Sequence, residues 1–248
     1  MSTEASTAEQ LLEDLSPKSQ IVSGSGRPQV YKTADGKRVP GCTTITKRFQ
    51  ESGGLIQWAY NCGRDGIDMN RARDDAADAG HLAHGWVDDT VHGRPLRTPP
   101  PEFGPEQIAG AQNALDAFNE WRDQVQLEIV ATEVALISEQ HRFGGTFDAI
   151  FRLKRSRLVL GDWKSGNRVY GEHLAQLGGY AILIEETGFL EQFGGGELEG
   201  VQLLRFDKEF GSFAHFSWPN PVLDLGKTAF LGMRQLYDVC ARLKKAVG

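Results

Sequence analysis

The stretch from Phe143 to Gly166, FGGTFDAIFRLKRSRLVLGDWKSG, decides how we interpret the fold of this 248-residue chain. It predicts two β-strands joined by a basic turn, with one acidic residue in each strand, Asp148 and Asp162. Residues two apart in a strand share a face, so Asp162 and Lys164 point to the same side. If the turn is centred on Arg155, Asp148 lies directly across from Asp162, and all three charged groups converge.

Two carboxylates that face each other across a strand pair repel unless a cation neutralises them. Mg²⁺ is held in proteins by one or two carboxylates together with waters and phosphate oxygens, which suits this pair. A neighbouring ammonium can orient water or stabilise charge on a phosphoryl oxygen. The alternative is a surface ion pair between one aspartate and Lys164, but the apolar run before Asp162 makes a buried strand the better interpretation. The hairpin therefore predicts a metal site.

The rest of the chain predicts an α/β fold. An Asp35-Gly36 turn between β-prone runs predicts a hairpin across 29–49, and helices broken at glycines follow, with Trp58 and Trp86 as core anchors. Residues 105–125 predict an amphipathic helix, after which the order of elements is β–β–β–α–β–β–α. We therefore expect a mixed β-sheet flanked by helices, with a helical N-terminal lobe.

The expected domain organisation is a loose acidic tail over residues 1–27 and a single domain over 28–248. Within that domain we expect the helical lobe at about 50–125 and the core at about 126–248. The N-terminus lacks the apolar segment of a signal peptide, and no apolar run is long enough to cross a bilayer, so the prediction is a cytoplasmic protein.

Charge and cysteine content exclude some classes of protein. The net charge of −6 argues against indiscriminate coating of nucleic acid, while leaving room for a local basic groove. Three scattered cysteines, Cys42, Cys62 and Cys240, predict no disulfide framework and cannot supply the four thiolates of an iron–sulfur cluster.

The ordered motifs resemble those of the PD-(D/E)XK nucleases, in their RecB-like branch. A G-x-x-D motif ends at Asp148, D-x-K spans Asp162 to Lys164, Q-x-x-x-Y joins Gln176 to Tyr180, and a glycine precedes His84 by four residues. The segments RVPGCTTITKRF and LIQWAYNCG are similar to the opening of mitochondrial genome maintenance exonuclease and related phage exonucleases. D-x-K alone is a weak signal, whereas the ordered set is specific.

The resemblance implies a restriction-endonuclease-like fold and a Mg²⁺-dependent DNA exonuclease, with Mn²⁺ able to substitute. It implies action on DNA ends or single strands in phage or bacterial recombination, repair or replication, together with a recombination or replication partner protein. The implied roles fall into three groups: metal ligands His84, Asp148, Asp162 and the main-chain carbonyl of Trp163; a catalytic Lys164, with Glu133 ordering water; and DNA contacts by Gln176 and Tyr180.

Several alternatives stay open. The sequence AGHLAH departs from the usual RGT form, which leaves His81 as a rival to His84. Ser165 either binds phosphate through its hydroxyl or caps the turn. A structure- or sequence-specific endonuclease would use the same site, and a catalytically silent DNA-binding or assembly module could keep the same fold.

Three further expectations concern packing. The acidic residues Asp88 and Asp89 are expected on a solvated helix face. Gly178-Gly179, costly inside a helix, predicts close approach to the sheet or to a phosphate backbone. The final helix is expected to bury one apolar stripe, made of Val222, Leu225, Ala229, Met233, Leu236, Cys240 and Leu243.

Overall fold

The computed structural model describes residues 30–50, 53–69, 82–154, 157–165, 168–206 and 212–247, so the expected tail lies outside the described residues. Its strands are β1 Tyr31–Lys32, β2 Arg38–Val39, β3 Glu128–Ser138, β4 Phe143–Leu153, β5 Arg157–Ser165, β6 Gly200–Phe206 and β7 Phe213–Pro219. Its helices are α1 Cys42–Arg48, α2 Gly53–Arg64, α3 at 82–91, α4 Pro105–Gln124, α5 Gly171–Glu186 and α6 Asn220–Ala246. Within these ranges no helix is both long and apolar enough to cross a membrane.

The main sheet has five strands in the order β3-β4-β5-β6-β7. Neighbouring strands are antiparallel except β5 and β6, which are parallel. The parallel pair needs a long crossover, and α5 supplies it. The mixed sheet flanked by helices is therefore confirmed.

Each face of the sheet carries its own apolar core. On one face, α1, α5 and α6 bury residues such as Ile45, Leu177 and Phe230 against Phe147 and Leu160. On the other face, α3 and α4 bury residues such as Trp86, Phe118 and Trp121 against Phe151 and Trp163. Because alternate residues of β5 enter opposite cores, this strand is fixed in register on both sides.

The N-terminal hairpin is shorter than expected. β1 pairs with β2 around Gly36, whose φ of +77° suits a glycine turn. The β-prone run after it forms α1 instead of a strand, because Cys42 and Ile45 bury against α5 and α6, and this tertiary contact outweighs β-propensity. Trp86 is a buried anchor as expected, whereas Trp58 is only partly buried.

The expected stripe of α6 is wrong. The helix buries Leu223, Gly226, Phe230 and Arg234, while Leu225, Leu236 and Leu243 are exposed. A hydrophobicity pattern does not indicate this inner face, because two of its four buried residues, Gly226 and Arg234, are not large apolar residues. Gly226 is needed because a Cβ there would lie 2.4 Å from the Leu174 carbonyl oxygen of α5.

The two glycines of α5 approach helices and not the sheet. A Cβ on Gly178 would lie 2.1 Å from the backbone carbon of Gly226 in α6. One on Gly179 would lie 2.6 Å from Cys42 Sγ in α1 and 2.8 Å from the Phe230 ring. Close approach was predicted correctly, but the expected partner was wrong.

Candidate active site

The β4–β5 register brings the two aspartates together. The ladder runs from Leu153↔Arg157 to Ala149↔Gly161, so the next opposed positions are Asp148 and Asp162. This is the register predicted from a turn centred on Arg155, a residue outside the described ranges. The ladder ends at that point, and Asp148 Oδ2 accepts a hydrogen bond from the Trp163 backbone N–H at 2.7 Å. Asp148 therefore lies where the two strands separate.

Lys164 lies on the same side of β5 as Asp162, as the strand period predicts. Its Nζ is 2.6 Å from Asp162 Oδ2, and the Asp162 carboxylate is fully buried. Burial alone would lower the pKa of Lys164, but the charges of Asp162 and Asp148 outweigh it and hold the pKa above the usual value. Lys164 is therefore a cation, in contact with Asp162 and under the charge of Asp148.

The charge on Asp148 is costly in this position. Burial, followed by the repulsion of Asp162, raises the pKa of Asp148 well above its usual value, while Lys164 opposes the shift. Neither oxygen of Asp162 makes a hydrogen bond of good geometry among the described residues, and Oδ1 also lacks the ion pair that Oδ2 has. A buried carboxylate oxygen without a partner is unfavourable.

Behind Lys164 lies a chain of polar groups from α5. Lys164 Nζ is 3.5 Å from Gln176 Oε1, and Gln176 Nε2 donates to the Tyr180 hydroxyl at 2.8 Å. Both α5 side chains are buried, with exposed fractions of 7% and 4%. Their i, i+4 spacing was predicted to place them on one face, and this face meets the lysine. Their contact with DNA stays a prediction.

One residue of this region, Cys42, was missed by the sequence analysis, and another, Gly145, was identified only as part of a motif. Cys42, the first residue of α1, is buried and its Sγ–H donates to the Gln176 carbonyl oxygen at 3.4 Å. Gly145 lies under Tyr180, where a Cβ would come within 2.8 Å of the tyrosine ring. The G-x-x-D motif contained a signal for Gly145, since its glycine is the position that lets α5 approach β4. No sequence signal indicated Cys42.

Glu133 lies opposite Asp148 in an unusual backbone conformation. The β3–β4 register continues through Thr132↔Ala149 and Val134↔Phe147, so Glu133 and Asp148 are the intervening positions. Glu133 has a φ of +52°, which is rare for a residue with a side chain and costs about 1–3 kcal/mol. The Glu133 side chain reaches solvent, but desolvation of its carboxyl by surrounding protein atoms, followed by the charge of Asp88, raises its pKa. Strain of this kind often marks a functional position.

The ring of His84 lies near Trp163, whose side chain is on the opposite face of β5 from Lys164. The two ring centres are 6.4 Å apart, and the Trp163 side chain enters the α3–α4 core. Within the described ranges no group of three or more His, Cys, Asp or Glu side chains is placed to hold a metal ion. The roles of His84 and of the Trp163 carbonyl as ligands stay predictions. His81 lies outside the described residues.

Two expectations remain, one for Ser165 and one for the pair Asp88 and Asp89. Ser165 is the last residue of β5, and its side chain lies outside the described part of the structure. The solvated face expected for Asp88 and Asp89 is wrong for Asp89, which is 4% exposed. Asp89 accepts hydrogen bonds from Arg97 Nε and Nη2, each at 2.8 Å, and Arg94 joins the cluster. The arginines come from the following loop, so the helix pattern could not reveal them.

The two aspartates fit a divalent cation in their chemistry. They are adjacent and oxygen-bearing, Asp162 is fully buried and Asp148 is half-buried, and Asp162 has an oxygen without a partner among the described residues. A hard cation that needs one or two carboxylates, with waters completing its shell, suits this pair. A cation bound here would neutralise Asp162, whose negative charge adds to the effect of burial in raising the pKa of Asp148.

No protein-family model and no curated protein sequence matches this chain. Among solved structures, it is similar to a candidate exonuclease from Eubacterium rectale, with a TM-score of 0.43 and 12% identity over 68% of each chain. It is also similar to the alkaline exonuclease LHK-Exo from Laribacter hongkongensis, with a TM-score of 0.28 and 14% identity over 69% of this chain and 90% of that chain. The same exonuclease in complex with dAMP gives a TM-score of 0.29. Values this low carry no argument about activity, which has to come from the geometry of the site.

Proposed function

We propose that this chain is a Mg²⁺-dependent deoxyribonuclease of the PD-(D/E)XK type, acting as an exonuclease on DNA ends or single strands. One observation carries the proposal: Asp148 and Asp162 are adjacent across β4 and β5, and Lys164 Nζ lies 2.6 Å from Asp162 on the same face. The same three residues complete the ordered motifs of the sequence.

The residues divide the chemistry among them. Asp148 and Asp162 hold the metal ion, with His84 and the Trp163 carbonyl as further candidate ligands. When bound, the ion supplies positive charge to phosphate oxygens and lowers the pKa of a water molecule. Lys164 offers its ammonium protons to the attacked phosphate or to the attacking water. Glu133 orders that water from the neighbouring strand, and Gln176 positions Lys164 by accepting from its Nζ.

The site suits phosphate chemistry because its cation is fixed. The charges of Asp162 and Asp148 hold the pKa of Lys164 above its usual value, so its ammonium is charged in the metal-free site and suits electrostatic stabilisation of a phosphate. We infer that the chain works in bacterial or phage recombination, repair or replication, with DNA as its substrate. Mn²⁺ is expected to replace Mg²⁺, because both cations accept carboxylate and water oxygens.

The test uses the purified full chain with 5′- and 3′-labelled linear DNA, single-stranded and duplex, and a closed circle, in Mg²⁺, Mn²⁺ or EDTA. We expect metal-dependent shortening of linear DNA only, and the labelled end that is lost first gives the polarity. Lys164→Ala and Asp162→Asn are expected to lower the rate by at least 100-fold.

Lys227→Ala is the matched control. Lys227 also forms ion pairs, with Glu185 and Asp224, and its side chain is 21% exposed compared with 20% for Lys164. Its replacement should leave the rate unchanged. Cutting of the closed circle would show that the protein is an endonuclease and not an exonuclease. DNA binding without cleavage under either metal would show that it is a silent binding module.

A further inference from the structure

Helix α6 is apolar on two opposite faces. Its inner face packs on the rest of the molecule through Leu223, Gly226, Phe230 and Arg234. On its outer face Leu225, Leu236, Val239 and Leu243 are exposed by 69%, 52%, 42% and 60%. An apolar stripe of this length on a water-facing helix is typical of a surface that contacts another protein element.

The outer face has the spacing of a helix–helix seam. Its exposed positions alternate steps of four and three residues, and we call them the α6 seam: Leu225, Ala229, Gly232, Leu236, Val239 and Leu243. This 3.5-residue period is that of a left-handed coiled coil, in which two helices keep contact along their length. The 18 residue steps from Leu225 to Leu243 span about 27 Å, so the matching partner is a helix of similar length.

We propose that the α6 seam packs antiparallel against the α6 seam of a second copy, forming a two-fold symmetric dimer. An antiparallel pair centred between Gly232 and Leu236 places Gly232 opposite Leu236 of the partner, and Ala229 opposite Val239. Each small residue therefore meets a large one, and Leu225 meets Leu243 at both ends. A parallel pair would instead oppose Gly232 to itself and leave a gap between the backbones.

The charges beside the α6 seam favour the same orientation. Asp224 lies near the start of the helix, whereas Arg242, Lys244 and Lys245 lie near its end. In the antiparallel pair Asp224 and the partner's Arg242 lie on the same side of the seam, at nearly the same position along the helix axis. In a parallel pair the basic ends of both helices, each with Arg242, Lys244 and Lys245, would lie side by side, and like charges repel. The helix dipoles also oppose each other favourably only when antiparallel.

The end of α6 leaves room for a partner. Residues 241–247 are all exposed, so the last two turns extend past the inner contacts of the helix. A contact about 27 Å long between two helices buries on the order of 1,000 Å² in total, which is small for a specific interface. We therefore expect a reversible dimer with a dissociation constant on the order of 10 µM.

This dimer does not depend on the proposed nuclease function. The α6 seam includes none of the candidate site residues, so either proposal can fail without the other.

Sedimentation of the full chain from 1 to 200 µM tests the oligomeric state. We expect the weight-average mass to rise from monomer towards dimer across this range. Leu236→Glu should raise the dissociation constant at least tenfold, because it places a carboxylate at the centre of the seam. Ile56→Glu is the control, since Ile56 is 64% exposed on α2 and does not belong to the α6 seam. A mass that stays monomeric throughout, or equal effects of both variants, would overturn the proposal.

Engineered cysteines test the orientation. In a Cys240→Ser background, which removes the one native cysteine of α6, Leu225→Cys and Leu243→Cys chains are oxidised separately and as a mixture. The antiparallel dimer predicts a disulfide only in the mixture. Disulfides within each separate sample would instead show a parallel pair and overturn the orientation. Arg242→Asp should weaken the antiparallel dimer several-fold, and adding Asp224→Arg should restore it.

Thiol labelling distinguishes a second copy from an occupant within the same chain. If the dimer forms, labelling of Leu225→Cys slows as protein concentration rises through the dissociation constant. If residues 1–29 covered the α6 seam, labelling would be slow at every concentration, and the dimer would be excluded.

Discussion

Lys164 links the acids of the sheet to the amide of α5. Its Nζ contacts Asp162 in front and lies 3.5 Å from Gln176 behind, and Gln176 is itself held by Tyr180. The lysine therefore needs no metal to hold its position, because protein groups fix it from both sides. A side chain ordered in advance loses little entropy when the substrate arrives, which is the arrangement expected of a catalytic cation.

The positive φ of Glu133 predicts that glycine is more stable than alanine at this position, the reverse of the usual order in a strand. At a φ of +52° alanine keeps the strain while glycine does not, so Glu133→Gly should be more stable than Glu133→Ala by about 1 kcal/mol. Urea unfolding of both variants measures the difference. Ala135→Gly, at a position of ordinary φ in the same strand, is the control and should lose about 1 kcal/mol. If alanine were the more stable residue at position 133 as well, the strained conformation would be wrong.

Asp89 predicts how stability depends on pH. Hydrogen bonds from Arg97 hold the pKa of this carboxyl below its ordinary 3.8, so below that pH the unfolded chain binds more protons than the folded one. The stabilisation is complete above pH 5 and decreases as pH falls towards the folded pKa. Asp89→Asn should lower the free energy of unfolding by about 2 kcal/mol at pH 7. The gap should shrink by about 1 kcal/mol at pH 3.

Urea unfolding at both pH values measures this gap. Asp116→Asn is the control, since Asp116 is an exposed carboxylate on α4 and should show no gap at either pH. A gap for Asp89→Asn that is the same at pH 7 and pH 3 would mean that its ion pair contributes no stability.

At the scale of elements, the contact between α5 and α6 depends on glycine. The crossing places Gly178 on the backbone of Gly226, which cannot move aside as a side chain could. Gly178→Ala should therefore lower the free energy of unfolding by about 3 kcal/mol, since the overlap exceeds the gain of about 1 kcal/mol in helix propensity. Gly63→Ala in α2 has no atom within 4 Å of the new Cβ and should be neutral or stabilising. Equal stability of the two variants would show that α5 and α6 do not pack this closely.

At the scale of the whole molecule, the features predicted best are those set by the two-residue alternation of a strand within one hairpin. The facing of Asp148 and Asp162 follows from strand period and turn centre, and both lie within one hairpin. The inner face of α6 could not be predicted, because both faces of the helix carry apolar residues and the buried one includes Gly226 and Arg234. Burial of Asp89 and the strain of Glu133 depend on contacts between distant segments, which no local pattern encodes.

Metal binding should couple the site to the stability of the whole fold. Asp148 and Asp162 repel while both are charged, so in EDTA at pH 8 the Asp148→Asn variant should melt at a higher temperature than the native chain. A Mg²⁺ concentration ten times the dissociation constant should stabilise the native chain by about 1.4 kcal/mol. For a domain of this size that gain raises the melting temperature by about 4 °C.

Differential scanning calorimetry with Mg²⁺ and then excess EDTA measures this shift and its reversal. Asp148→Asn and Asp162→Asn should lose the response to Mg²⁺, because each removes a carboxylate from the pair. Asp89→Asn should keep it, since Asp89 is neutralised by Arg97 and takes no part in the pair. An unchanged Mg²⁺ response in Asp148→Asn and Asp162→Asn would place the cation elsewhere, and the repulsion between the two aspartates would then be relieved by Lys164 alone.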